Sequence, residues 1–90
     1  MEFQYEPNRI FMTDENGVLR AEIEFPDTDD NVFTITHTFV DDSLRGQGIA
    51  EKLTETVIKQ AEKTGKKIRP VCSYAVRWFA RHPEYDYILA

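Results

Sequence analysis

The sequence predicts an α+β fold with a mixed sheet, and three observations carry the prediction. Apolar and polar residues alternate through the first forty positions, apolar residues recur every four through the middle, and a glycine loop, Arg45-Gly46-Gln47-Gly48, joins the two regimes. Alternating segments linked by short turns pair antiparallel, whereas strand, helix, strand is the crossover that makes neighbours parallel. The expected layout is an antiparallel three-strand meander, a helix crossing to a parallel strand, and a C-terminal helix.

Each element has its own justification. Phe3–Tyr5 can add a short edge strand, which Pro7 limits. Arg9–Met12 reads as a strand, and Asp14-Glu15-Asn16-Gly17 as a turn in which Asn-Gly accepts positive φ. Leu19, Ala21, Ile23 and Phe25 share one face of the next strand, with Arg20, Glu22 and Glu24 on the other. Pro26–Asn31 closes a second hairpin. Val32–Val40 alternates again, placing Phe33, Ile35, His37 and Phe39 on one face. From Gly46 to Lys63, Ile49, Leu53, Val57 and Ala61 form a helical stripe that Ala50 and Ile58 widen. Gly65 suits a left-handed helix cap. Lys66–Val71 reads as a strand anchored by Ile68 and Val71. Ser73–His82 reads as a helix with Ser73 as N-cap, His82 as a cap at its end and Pro83 as its stop. Tyr85–Leu89 forms an apolar tail that packs back on the core.

Composition narrows the function. Ninety residues suit a single domain spanning 1–90, and 41% hydrophobic with 12% aromatic content suits a folded core. Sixteen acidic against eleven basic residues give a net charge of −5, which argues against nucleic acid or an anionic membrane as partner. One cysteine rules out an intramolecular disulfide and a cysteine metal cage, and with two histidines no metal site is expected. No apolar run is long enough to span a bilayer, and MEFQYEPNR lacks the features of a signal peptide. A cytoplasmic monomer or weak dimer is the expectation.

The chemistry concentrates in Arg45-Gly46-Gln47-Gly48-Ile49-Ala50, between a strand and a helix. Two glycines let backbone approach a ligand, and the first helical turn offers unpaired N–H groups at a positive dipole end. Together they suit a pyrophosphate. A mere turn easing helix entry is the plainer alternative. A Walker loop is excluded because Ile49-Ala50 follows Gly48 where Lys-Ser/Thr is needed. A dinucleotide fingerprint is excluded because it needs a third glycine and an early βαβ unit.

The pattern Arg45-x-x-Gly48-x-Ala50 resembles the acetyl-CoA signature of the GNAT superfamily of N-acetyltransferases. Thr36-His37-Thr38-Phe39-Val40 is similar to that superfamily's central strand, and Pro70–Tyr74 and Arg81–Tyr85 resemble a short, single-domain branch. The resemblance covers residues 9 to 87. It implies acetyl-CoA in a cleft where the central strand splays from the next parallel one. The pyrophosphate would lie on the amides of residues 45–50 and the pantetheine along the backbone near Phe39 and Val40. The superfamily's thiolate-protonating tyrosine falls on Phe79, which has no proton to give, and the elements that build an acceptor pocket are missing.

In the branch the cysteine matching Cys72 lies near the acetyl group. Cys72 stands where strand meets helix, as a nucleophile, a proton donor or a cleft-lining thiol. His37 is either a core-facing histidine or a base that takes a proton from an incoming ammonium. Trp78, Phe79, Tyr74 and Tyr85 are mostly core, with one or two of them at the cleft. Lys66, Lys67 and Arg69 could reach the adenosine 3′-phosphate or form a solvated face. The reading is acetyl transfer from acetyl-CoA, as co-substrate and without a metal, to a primary amine of a small molecule or peptide. The amine attacks directly in a ternary complex; the rival is a CoA-binding module with little catalytic activity.

Overall fold

The computed structural model describes residues 2–90. In chain order its elements are β1 (Gln4–Glu6), β2 (Arg9–Thr13), β3 (Leu19–Glu24), β4 (Asp27–Asp29), β5 (Val32–Ile35), β6 (His37–Val40), a 3₁₀ turn at Asp42–Leu44, α1 (Ile49–Thr64), β7 (Lys67–Pro70), α2 (Ser73–Ala80) and a closing 3₁₀ segment, Pro83–Ile88. One sheet has the order β1-β2-β3-β6 and is antiparallel throughout. The other has the order β4-β5-β7, with β5 and β7 parallel. The mixed α+β layout predicted by the sequence is therefore present, with α1 as its crossover.

The main departure lies at Thr36. The sequence predicts one strand from Val32 to Val40, but the chain changes sheets there and makes two. Thr36 donates its amide to the Glu24 carbonyl, while His37 is the register partner of the same Glu24. Two residues thus oppose one, as in a bulge, and the side-chain alternation slips by one position. Phe33 and Ile35 are buried as predicted. Beyond the slip, Val40 packs toward the core, while His37 stands exposed on the opposite face. The expectation of a core-facing His37 is corrected: its Nε2 lies 3.5 Å from Glu22.

The core joins Ile10, Ala21, Ile23 and Phe25 of the first sheet region to Leu53, Val57, Ile58 and Ala61 of α1, with Ile68 beneath. Each of these is at most 2% exposed, so truncating Leu53 to alanine costs about 2–5 kcal/mol. Gly65 closes α1 at φ 71°, donating to the carbonyls of Ala61 and Glu62. At sixteen residues α1 is about 24 Å long, which separates the glycine loop from the start of β7.

Smaller corrections follow from packing. Helix α1 begins at Ile49 rather than Gly46, because Gly46 and Gly48 both adopt positive φ. Cys72, not Ser73, occupies the N-cap position of α2. Val71 does not anchor β7; it is exposed, and Ile68 alone is fully buried there. The tail does pack back, through buried Ile88 and the Ala90 amide on the Ile68 carbonyl at 2.8 Å. No helix among the described residues is long and apolar enough to cross a membrane.

Candidate active site

The loop after β6 is held at both ends. The Asp41 carboxylate accepts from the Ser43 amide at 2.9 Å and from its hydroxyl, and Arg20 approaches it at 3.3 Å. The Ser43 hydroxyl, then its amide, hold the Asp41 carboxyl below its ordinary range. Buried Leu44 anchors the turn from inside. Gly46 and Gly48 follow at φ 80° and 70°, a conformation that costs L side chains about 1–2 kcal/mol. A Cβ at either position would meet nothing within 4 Å, so these glycines serve conformation and open approach rather than tight packing. The amides of Ile49, Ala50 and Glu51 form the first turn of α1 and donate to no acceptor among the described residues.

These groups line a groove of about 260 Å³ together with Val40 and Tyr74. Of the cofactor-binding residues expected from sequence, the groove gathers Val40, Arg45, Gly46, Gly48, Ile49 and Ala50. Gln47 lies on the exposed loop outside the lining, and Phe39 lies on the other face of the sheet beside His37. Arg45 is highly exposed and carries only an exposed ion pair with Asp42 at 2.9 Å, which a stronger anion can displace.

The groove continues into an unpaired strand edge. Asp41 donates to Arg20 across the β3–β6 register, and alternation then assigns the Phe39 and His37 backbone groups to β3. Those of Thr38 and Val40 point to the other edge. β7 does not reach that edge: Val71 and Cys72 both donate to the Ile35 carbonyl, and the chain then turns away into α2. The two sheets part there, leaving the outer edge of β6 without a backbone partner among the described residues.

Cys72 sits in the crotch so formed, half-buried, with Sγ 3.5 Å from the Thr38 hydroxyl. Tyr74 follows one residue into α2 and lines the groove. Burial raises its phenol above the ordinary value, opposed by the Thr54 hydroxyl, so it stays protonated. Phe79 is 3% exposed and packs edge-on against Trp78, deep in the core and off the groove. Tyr74 is the groove residue that sequence reading left among the general aromatics. Its signal is its place in the first turn of α2, facing the first turn of α1. His37 is not beside Cys72; it joins Glu22 and Glu24, with one ligand atom from each residue mutually within 4.8 Å. Such a set can accept a cation, although Arg9 already neutralises Glu22.

The sequence model of the GCN5-related N-acetyl-transferase family matches residues 9–88. The chain belongs to that family. It is an acetyltransferase with the GNAT fold, as the resemblance implied. A GCN5-like protein from Staphylococcus aureus, solved by NMR in solution, superposes at a TM-score of 0.82 with 32% identity, over 99% of this chain and 87% of that one. A crystallised GNAT acetyltransferase from Staphylococcus aureus Mu50 gives 0.66 at 18% identity, over 83% of this chain and 50% of that one. A GNAT N-acetyltransferase from Escherichia coli, crystallised in complex with CoA, gives 0.63 at 18% identity, over 87% of this chain and 44% of that one. The chain thus spans about half the length of these two crystallised proteins. Comparison with curated protein sequences finds no match.

Proposed function

We propose that this GNAT domain transfers acetyl from acetyl-CoA to a primary amine of a small molecule or peptide, by direct attack in a ternary complex. One observation carries the reading: the unpaired edge of β6 runs straight into the unpaired amides of α1, a strand-like track ending in an anion site. Pantetheine has amides that can pair with such an edge, and a diphosphate suits the amides of residues 49–51. With the diphosphate on the loop, the thioester falls near Thr38 and Cys72. The Thr38 amide can then polarise the thioester carbonyl and stabilise the tetrahedral oxyanion.

The neutral amine attacks the carbonyl carbon, the carbon–sulfur bond breaks, and CoA leaves as a thiolate that takes a proton. Tyr74 lines the groove with a protonated phenol, which supports it as that donor. The Cys72 thiol is the other donor within the crotch. Neither His37 nor Phe39 is on this side of the sheet, so His37 serves as a base only for an amine arriving over the outer face.

A CoA-holding module with little turnover is the second reading, favoured by the open outer face of the first sheet, where His37 stands exposed. Titration with CoA, followed by amide NMR, tests the first step. Binding with shifts at residues 38, 40 and 46–51 supports the placement; no binding overturns both readings. Acetyl-CoA turnover across a panel of amines then separates enzyme from module.

A further inference from the structure

A second cavity, about 410 Å³, opens beside the groove, between Glu51 of α1 and the side chains of Tyr74, Arg77, Trp78, Arg81 and His82. Glu51 and Tyr74 line both spaces, so the cavity adjoins the groove and the two together form a trough. The far wall of the trough is unusual in its charge. Arg9, Arg20, Arg45 and Arg69 each have a carboxylate partner, whereas Arg77 and Arg81 have no ion pair among the described residues. They lie four residues apart on one face of α2 and its end, where like charges repel. The helix dipole favours cations near the C-terminus of α2 and explains why they are tolerated. Both guanidiniums are exposed and border one cavity, so they are free to meet an anion there.

The wall that carries them is packed against the core. Trp78 is buried and stacks on the His82 ring at 3.9 Å, and His82 Nδ1 is tied to the Trp78 carbonyl at 2.7 Å. The Glu51 carboxylate on the opposite wall lies 3.5 Å from His82 Nε2, which leaves the arginine end of the cavity cationic.

We propose that this cavity is a phosphomonoester subsite in which Arg77 and Arg81 hold the 3′-phosphate on the ribose of CoA. The inference rests on the acetyl-CoA reading above and deepens it. CoA places a dianionic phosphomonoester one ribose away from its diphosphate, and the trough places two guanidiniums one cavity away from the diphosphate loop. Guanidinium forks match phosphate oxygens with paired, charge-assisted hydrogen bonds. The assignment also gives the chain a means to tell CoA from nucleotides and thioesters that lack the third phosphate.

Calorimetric titration of CoA and 3′-dephospho-CoA, against the wild type and the Arg77→Gln/Arg81→Gln variant, tests this. The wild type should bind CoA at least tenfold more tightly than 3′-dephospho-CoA, about 1.4 kcal/mol, with the gap narrowing as salt rises. The variant should bind both ligands alike, at the wild-type level for 3′-dephospho-CoA; that retained affinity shows an intact fold and loop. Equal wild-type affinities overturn the subsite and leave the acetyl-CoA reading standing. Equal losses of both ligands in the variant also overturn it, because the arginines would then act through a general field or the fold. Binding of neither ligand by the wild type overturns this inference together with the proposed function.

Discussion

Just beyond the C-terminal end of α1, the three cations Lys66, Lys67 and Arg69 each have a partner. Lys66 reaches Asp27 at 2.6 Å and lies over the Phe33 ring, Lys67 donates to the Tyr87 carbonyl at 2.6 Å, and Arg69 meets Asp29 at 2.8 Å. At the N-terminal end, about 24 Å away, the amides of residues 49–51 and the guanidiniums of Arg77 and Arg81 have none among the described residues. Both ends are basic on paper, so positive charge alone does not mark a site. Unpaired helix-end amides beside unpaired guanidiniums on one trough make the better candidate, because those groups are free to meet an anion. This comparison also corrects the suggestion that Lys66, Lys67 and Arg69 reach the adenosine 3′-phosphate: they are bound to the acidic turn and the tail, at the wrong end of the helix.

The contrast can be broken most directly at the loop. Gly48→Val forces a β-branched residue into φ 70° and thrusts a side chain into the groove, so CoA should bind at least tenfold more weakly, about 1.4 kcal/mol. An unchanged dissociation constant, with the fold intact by circular dichroism, would remove the diphosphate from this loop. Next in size, Tyr74→Phe should lower kcat by about tenfold while leaving CoA affinity unchanged, as loss of a proton donor does. If kcat is preserved, the departing thiolate takes its proton elsewhere.

Cys72→Ala should have a smaller effect, retaining binding and most of the transfer. A cysteine thioester would have about the reactivity of the donor it replaced, so a covalent step gains little. Mass spectrometry after incubation with acetyl-CoA decides this: a stoichiometric adduct on Cys72 that an amine chases off would mean ping-pong chemistry.

The smallest effect on binding belongs to the far end. Lys66→Ala with Arg69→Ala should leave CoA affinity unchanged, despite removing two positive charges. The double variant should instead change acid sensitivity. The Lys66 ammonium, then the Asn8 amide, hold the Asp27 carboxyl below its usual value near 3.8. A carboxyl lowered in the folded state stabilises above its unfolded pKa and loses that contribution as pH falls through the folded one. The wild-type Tm should therefore fall more steeply than the variant's below about pH 4. Matching slopes would show that the pair contributes nothing measurable, a common fate of exposed ion pairs.

Much of the molecule was legible in its residues. Period-two alternation located β3 and the Val32–Val40 segment, Arg9–Met12 read as the shorter strand β2, the four-residue stripe located α1, and Gly65 marked its end. The glycine loop was legible as a candidate anion site because its positive-φ backbone is a local property of glycine. The sheet switch at Thr36 was not legible, since Phe33, Ile35, His37 and Phe39 keep perfect alternation through a bulge that no glycine or proline announces. That one slip put His37 outside and turned the Thr38 and Val40 backbones toward the open edge. Pairing was equally hidden: whether Lys66 or Arg77 is satisfied depends on which carboxylate folding brings within reach. The sequence by itself determined the elements and the loop, which local spacing and backbone preference control. Only the tertiary structure decided which donors remain free to bind, because that depends on partners distant along the chain.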